Sequence, residues 1–190
     1  MSGKPDTRTR ILDVAQGLVQ ERGDHAVRYK DIGEWLGLCN ASIHHHFPGK
    51  TGLGASLVRR YRERRERLLE SLAAHPSARR LDRYVAASRE VVHEDGRIRL
   101  CTVLAAEDRS LPEAIRGEVS IFSDLNEDWL SRVLEEGRGQ GELHFPGDPR
   151  ETGSTFLATL EGAMLLARSS RDPGRFEHIC RRSVAALRAA

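Results

Sequence analysis

Three consecutive histidines, His44, His45 and His46, are the first residues in this sequence whose type suggests chemistry. Histidine is a common metal ligand because its neutral ring nitrogen offers a lone pair. The surrounding pattern is that of a helix, however, and successive side chains on a helix point about 100° apart. Three adjacent histidines therefore cannot converge on one ion, and the sequence predicts no metal site.

The three cysteines, Cys39, Cys101 and Cys180, are odd in number and widely spaced. No CxxC pair is present, so they fit neither a disulfide framework nor a zinc site, and we interpret them as three separate thiols. Motifs of common enzyme classes are missing too: there is no phosphate-binding glycine loop, no GxSxG and no HExxH. We expect no catalytic residues and no cofactor.

The stretch from Tyr29 to Lys50 has the pattern of two short helices joined by a turn. Helical patterns over 29–36 and 41–47 flank a four-residue segment that begins with Gly37. Glycine adopts the left-handed backbone of a tight turn more easily than other residues. This spacing is typical of a DNA-binding helix-turn-helix.

The remainder of the chain is also predicted to be helical. Apolar residues recur at three- and four-residue steps, and the only alternating pattern, over 143–145, is too short to indicate a strand. We predict an all-α protein of about nine helices, over residues 6–21, 29–36, 41–47, 51–72, 80–94, 98–108, 112–137, 149–170 and 173–189.

The helix predicted over 51–72 joins two domains. Its middle, residues 59–67, is highly charged, and a long helix with a polar centre often connects two packed regions. We place a three-helix DNA-binding domain, with the start of the connecting helix, at residues 1–55, and a helical regulatory domain at residues 56–190.

The charge is unevenly distributed. Residues 1–62 hold 10 lysines and arginines against 6 acidic residues, a charge of +4, whereas the rest holds 20 against 22, a charge of −2. The basic surplus accompanies the helix-turn-helix, although an ordinary solvated surface would explain so small a difference. No apolar run approaches the roughly 18 residues of a membrane span, and residues 1–10 lack the apolar core of a secretory signal. We expect a cytoplasmic protein without a membrane partner.

The sequence resembles the TetR/AcrR family of transcriptional repressors over residues 6–57. The resemblance is carried by the spacing of Ile32, Gly37, Leu38, Ile43, His46, Phe47, Lys50 and Leu53. It implies a homodimer that binds a palindromic double-stranded DNA operator and is released by a small-molecule inducer bound in the regulatory domain. DNA geometry is consistent with such a dimer, because its two helix-turn-helix units must lie about 34–36 Å apart to enter successive major grooves.

The family's pattern also implies which residues contact DNA. The turn and the start of the second helix face base edges, where asparagine can bond adenine, serine can donate or accept, and alanine can contact a thymine methyl group. Hydroxyl, ring N–H and ammonium donors at other positions suit phosphate or sugar. We assign base contacts to Lys30, Asn40, Ala41 and Ser42, backbone contacts to Tyr29, His44, His46 and Lys50, and either kind to His45.

Four residues depart from the family's pattern. Arg28, which we count with the DNA-binding residues, stands where threonine or serine often caps the helix, and His44 stands where tyrosine is most common. Cys39 replaces a small hydroxyl residue, and Gly33 replaces alanine. Glycine inside a helix costs about 1 kcal/mol relative to alanine.

Two further sets of residues are assigned to the regulatory domain. Large apolar side chains on its helices could line a ligand pocket, or simply form the core; they are Tyr84, Phe122, Trp129, Phe156 and Met164, with Cys101. Small residues near the end of the chain resemble the dimerisation helices of the family, whose pairs form a four-helix bundle; with apolar partners on the last helix they are Gly153, Ala158, Gly162, Ala163, Ala167, Ile179, Val184 and Leu187.

One alternative function is kept open. By the family's architecture Cys101 borders the pocket, where a thiolate could sense oxidants or electrophiles. A free cysteine is more commonly a small buried apolar side chain. The alternative is thus a helical sensor or ligand-binding protein in which DNA binding is secondary or vestigial.

Overall fold

The computed structural model describes residues 6–93 and 97–188. Within these ranges the chain forms nine α-helices, one turn of 3-10 helix at Asp108–Ser110, and no strand. The prediction of an all-α protein of about nine helices is confirmed for this part of the chain. The helices are α1 Thr7–Arg22, α2 Tyr29–Leu36, α3 Asn40–His46, α4 Lys50–Ser71, α5 Ser77–His93, α6 Leu100–Ala106, α7 Glu113–Gly139, α8 Pro149–Ser170 and α9 Pro173–Ala186.

Most predicted boundaries lie within a few residues of these. The largest differences are of three residues: α5 begins at Ser77 rather than at residue 80, and α9 ends at Ala186 rather than at residue 189. Pro76 supplies a backbone angle suited to a helix start, and the Glu142 carboxylate accepts a hydrogen bond from the Ala78 N–H at 2.9 Å. The predicted end of α5 at residue 94 and the predicted end of α9 at residue 189 lie outside the described residues.

The helices form two compact units. The first comprises the described residues up to Glu63 together with Leu100–Ile121, and the second comprises Arg64–Arg99 and the described residues from Phe122 onward. The α4 helix therefore contributes its first part to one unit and its last part to the other. The functional boundary between residues 55 and 56 stays a prediction.

The core of the first unit is built on one face of α1. Ile11, Leu12 and Ala15 are buried there, at the helical spacing that the sequence showed. Asp6 caps the helix by accepting from the Thr9 N–H at 2.6 Å, and this hydrogen bond holds the pKa of Asp6 below its ordinary value. Gly23, with φ +83°, ends the helix.

The first part of the charged middle of α4 forms ion pairs within the first unit. Arg60 pairs with Asp13 on α1 at 3.0 Å. Arg59 and Arg62 both reach Glu118 on α7, at 2.7 and 3.5 Å, and Glu118 is buried. The arginines thus satisfy carboxylates that other helices bring to α4.

The last two helices of the second unit pack against each other along their length. Asp148 caps α8 by accepting from the N–H groups of Arg150 and Glu151. Arg171 then adopts a left-handed conformation, φ 52°, which ends α8, and Asp172 caps α9 through the Gly174 N–H at 2.9 Å. None of the described helices is both long and apolar enough to cross a membrane.

Candidate nucleic-acid interface and regulatory elements

The turn between α2 and α3 depends on two glycines. Gly37 has φ 66° and ψ 34°, the left-handed conformation predicted for it. The Leu38 N–H donates to the Gly33 carbonyl at 3.0 Å, so the chain folds back tightly over Gly33. A Cβ atom at Gly33 would lie 2.6 Å from the Leu38 carbonyl oxygen. Glycine at this position, a departure from the family pattern, is therefore required by the close approach of the turn.

The α3 helix buries one face and exposes the other. Ile43 is fully buried, and Phe47, which follows the helix, is 3% exposed. Asn40, Ala41, His44 and His45 are exposed, whereas Ser42 and His46 are half-buried. The exposed residues fall at steps of one and four, so they share one face of the helix. The turn thus presents a short polar helix face to solvent.

Two of the residues predicted to contact the DNA backbone are bound within the first unit. The Tyr29 hydroxyl donates to the Phe47 carbonyl at 2.8 Å, and its ring lies 4.7 Å from that of His44. Burial raises the pKa of Tyr29. The Lys50 ammonium donates to the Asp24 carbonyl at 2.5 Å and lies 3.1 Å from the Asp24 carboxylate. Both groups hold the segment that follows α3, Tyr29 at Phe47 and Lys50 at the start of α4, and only their remaining hydrogen-bonding capacity is available to a phosphate.

The start of α2 is capped from inside the helix. Arg28 provides no side-chain oxygen, but its own N–H donates to the Asp31 carboxylate at 2.7 Å. Asp31 thus satisfies the N–H of Arg28, which is the half of a capping box that does not require serine or threonine at the first position. Lys30 is exposed and pairs weakly with Glu34 at 3.7 Å. Asp31 was not among the predicted site residues, although the third position of a helix is where a capping carboxylate is expected.

A contact between α6 and the loop before the helix-turn-helix was also missed. Glu107, directly after α6, accepts a hydrogen bond from the Asp24 N–H at 2.9 Å. A Cβ at Gly23 would meet the second oxygen of this carboxylate at 2.0 Å. In the same region the His25 Nε2 atom and the Ser110 hydroxyl oxygen form a hydrogen bond at 2.5 Å. Because Asp24 also binds Lys50, α6 is connected through this loop to the first residue of α4.

The histidines of α3 are not grouped around a common point in the described part of the chain. The rings of His45 and His46 are 5.4 Å apart and nearly perpendicular. Among the described residues, no group of three or more histidine, cysteine or acidic side chains is arranged to hold an ion.

The side chains predicted to line a ligand pocket are all buried. Tyr84 and Met164 are fully buried, and Phe122, Trp129 and Phe156 are at most 8% exposed. These five lie in the second unit, whereas Cys101 belongs to the first unit, where it is 3% exposed. Their assignment to a ligand pocket stays a prediction.

Polar residues that the sequence did not single out surround Tyr84. Its hydroxyl donates to the Asn126 side-chain oxygen at 2.8 Å, and the guanidinium of Arg65 donates to the same oxygen at 3.0 Å. Arg65 and Arg99 lie over the Tyr84 ring at 4.1 and 5.2 Å, and Trp129 stacks on it at 5.2 Å. Arg99 also pairs with Glu161 at 2.6 Å. The interior of the second unit is therefore partly polar and cationic, which its apolar helix patterns did not indicate.

The residues predicted for dimerisation divide between the interior and the surface. Gly153, Ala163, Ala167, Val184 and Leu187 are buried within the chain. The small side chains of this set let α8 approach its neighbours, since a Cβ at Gly153 would lie 3.3 Å from Leu130. These five side chains are already covered within the single chain, and their assignment to a contact with another subunit stays a prediction.

A different row of residues faces solvent on α8. Ala158 is exposed and Gly162 is half-buried, and Leu165 and Leu166 continue the row with exposures of 47% and 43%. On α9, Ile179 is half-buried. We call Ala158, Gly162, Leu165 and Leu166 the α8 outer face. The two leucines were not among the residues predicted for dimerisation, because that prediction was based on small side chains.

Comparison with known proteins agrees with this geometry. Residues 11–57 match the model of "Bacterial regulatory proteins, tetR family". The chain is 29% identical over 173 residues to the HTH-type transcriptional repressor NemR of Escherichia coli, covering 88% of this chain and 86% of the relative. It is 25% identical over 146 residues to the HTH-type transcriptional repressor KstR2 of Mycobacterium tuberculosis, covering 72% and 70%. These relatives are transcriptional regulators rather than enzymes.

A solved structure extends the similarity to the whole fold. The TetR-family transcriptional regulator of Agrobacterium tumefaciens is 34% identical, with a TM-score of 0.92 over 96% of this chain and 97% of that one. The resemblance inferred from the helix-turn-helix is thereby confirmed. With this identity over nearly the full length of both chains, the protein belongs to the TetR family of DNA-binding transcriptional regulators.

Proposed function

We propose that this protein is a homodimeric repressor that binds a palindromic operator and leaves it when a small molecule binds. The DNA-binding part of this proposal rests on the exposed polar face of α3. The α3 helix is held in place by the turn at Gly37 and by the buried side chains of Ile43 and Phe47, so Asn40 and Ala41 are presented on a rigid element. A rigid helix with an exposed polar start is what major-groove contact needs.

Within this proposal the residues of α3 have different tasks. Asn40 and Ala41 contact bases, while His44 and His45 bind bases or phosphates along the same face. Tyr29 and Lys50 mainly hold α3 in place, since both already bind backbone carbonyls. This moves their main contribution from the DNA backbone, where the sequence placed it, to the position of the helix.

The dimer is proposed to form through the α8 outer face together with Ile179 on α9. Members of the family act on their operators as dimers, and two exposed leucines on one helix are an unfavourable surface for a monomer in water. Ala158 and Gly162 would let a helix of the partner subunit approach closely.

The route from the effector to DNA is proposed to include α6. Glu107 accepts a hydrogen bond from the Asp24 N–H, and the Asp24 carboxylate pairs with Lys50, the first residue of α4 after α3. A shift of α6 would therefore change the hydrogen bonds of the loop between α1 and α2, which contains Asp24. The effector itself is proposed to bind in the second unit near Tyr84; inducer and operator would then weaken each other's binding by the same factor.

A gel-shift experiment with DNA from upstream of the protein's own gene tests the DNA-binding part. We expect sequence-specific retention that weakens steeply with salt. Asn40→Ala should reduce the preference for the operator over scrambled DNA by about 10- to 100-fold, because a good bidentate base contact contributes about 1–3 kcal/mol. His144→Ala, an exposed substitution in the second unit, is the control and should change nothing. Equal retention of operator and scrambled DNA by the unmodified protein would contradict the proposal.

A further inference from the structure

A groove of about 900 Å³ lies on the surface of the second unit between α5 and α9. This volume is within the range of small-molecule sites in proteins, roughly 300–1,000 Å³. None of the residues predicted for the ligand pocket lines it. The groove is therefore separate from the Tyr84 cluster to which the effector was assigned.

Ion pairs cross the groove at both ends. At one end Arg89 of α5 donates to Glu177 of α9 at 2.5 Å, and this hydrogen bond lowers the pKa of Glu177. At the other end Arg188, just beyond α9, pairs with Asp82 of α5 at 2.9 Å. Arg89 lies seven positions after Asp82, which corresponds to about 10 Å along a helix. The two carboxylates of the groove are thus already neutralised by two of its arginines.

The floor between these ion pairs is apolar. It is formed by Val85 and Ala86 on α5 and by Cys180, Val184 and Ala185 on α9. Burial raises the pKa of the Cys180 thiol to about 12, so the sulfur is uncharged at neutral pH. An aliphatic or aromatic body can lie on this floor without desolvating a charge.

Two arginines remain without a carboxylate. Arg83 on α5 and Arg181 on α9 line opposite walls. Among the described residues, Arg83 has no hydrogen-bond or ion-pair partner, and Arg181 contacts only the His178 ring, at 3.4 Å. Four arginines against two acidic residues give the groove a net charge of +2. Guanidinium groups bind carboxylates with paired hydrogen bonds and are less strongly hydrated than ammonium groups.

We propose that this groove binds an amphipathic carboxylate, with its apolar body on the Val85–Val184 floor and its carboxylate between Arg83 and Arg181. The volume of the groove, its apolar floor and its net positive charge all favour this class of ligand. Arg83 and Arg181 are both exposed, so a neutral ligand would gain no charge-assisted hydrogen bond from either guanidinium, and a cation would be repelled. The site does not depend on the proposed operator binding, because the ligand is recognised entirely by the second unit.

Isothermal titration calorimetry of the full-length protein with decanoate, kept below its micelle concentration, tests the proposal. We expect one site per chain. The double variant Arg83→Ala/Arg181→Ala should bind decanoate at least about tenfold more weakly, because charge-assisted hydrogen bonds are lost. Arg79→Ala/Arg182→Ala is the matched control: it removes the same charge from exposed positions on the same two helices outside the groove, and should change affinity less than twofold.

Binding of decanol, which has a ten-carbon chain like decanoate but no charge, measures how much of the affinity comes from the carboxylate. We expect it to bind at least about tenfold more weakly than decanoate to the unmodified protein, and equally to both double variants. The proposal is overturned if the unmodified protein does not bind decanoate, as would happen if the partner subunit covered the groove. It is also overturned if the Arg83/Arg181 variant binds as well as the control, or if decanol binds as well as decanoate. DNA binding is not read out, so failure of the repressor proposal would leave these results unaffected.

Discussion

At Gly33, two effects of replacing glycine by alanine oppose each other. Helix propensity favours alanine by about 1 kcal/mol. The new Cβ, however, would meet the backbone oxygen of Leu38 at 2.6 Å, and a backbone atom in a tight turn cannot move away as a side chain can. We therefore expect Gly33→Ala to lower the free energy of unfolding by about 1–3 kcal/mol in urea titrations, as other overpacked sites do.

Gly52 provides the matched control for this prediction. It lies in α4, is exposed, and has no atom within 4 Å of the position its Cβ would take. Gly52→Ala should raise the free energy of unfolding by about 0.5–1 kcal/mol, since only helix propensity changes. If both substitutions stabilise the protein, the close approach of Leu38 to Gly33 is not present in solution.

The three cysteines should differ in reactivity toward iodoacetamide. Cys39 is exposed, whereas Cys101 is 3% and Cys180 is 1% exposed. Burial also holds the pKa of Cys180 near 12, so almost no thiolate is present at pH 8. Intact-protein mass spectrometry should show one adduct on the native protein and three after denaturation.

The same measurement decides the sensor hypothesis for Cys101. A buried thiol without a path to solvent reacts slowly with oxidants and electrophiles. Labelling of native Cys101 as fast as Cys39, mapped by peptide analysis and compared with Cys101→Ser, would revive the alternative in which this thiol is the sensor.

At the scale of elements, the position of most helices was predictable and the contacts between them were not. The spacing of apolar residues that predicts α1 and α8, and the prolines and glycines that mark helix ends, involve only residues close in sequence. By contrast, Asn126 meets Arg65 across 61 positions, and Glu107 meets Asp24 across 83. No local pattern marks such pairs, which is why the polar interior of the second unit and the α6 contact were missed. The prediction of the dimer residues meets a related difficulty: small residues indicate close packing, but not whether the neighbouring helix belongs to the same chain.

The α6 contact can be tested through the Asp24 amide. Glu107→Ala removes the carboxylate that accepts from this N–H, and a hydrogen bond to a charged group contributes about 1.5–3 kcal/mol. We expect the Asp24 amide to exchange with solvent at least about tenfold faster, as measured by NMR, with the global free energy of unfolding lowered by less than that range. Glu107→Gln keeps an acceptor oxygen and should give a smaller change. Unchanged exchange in both variants would show that the loop does not depend on α6.

At the scale of the whole molecule, operator binding requires two DNA-binding domains held together. A single helix-turn-helix covers only one half of a palindrome, and linking two such modules typically raises overall affinity by 10²–10⁴. If the α8 outer face forms the dimer, charges there should separate the subunits without unfolding them, because Leu165 and Leu166 are already exposed in the single chain.

The double substitution Leu165→Glu/Leu166→Glu tests this. It places two carboxylates from each subunit in an apolar contact, where neither would have a partner. Analytical ultracentrifugation should show a monomer at concentrations where the unmodified protein is a dimer, and operator affinity in gel shifts should fall by roughly 100-fold or more. Helical circular dichroism and the melting transition would show that the monomer is folded.

Ala114→Glu, which adds a charge at an exposed position in the first turn of α7, is the control and should leave both the dimer and its operator affinity unchanged. A double variant that remains dimeric would place the subunit contact elsewhere, and a monomer with undiminished operator affinity would contradict the two-headed mechanism itself.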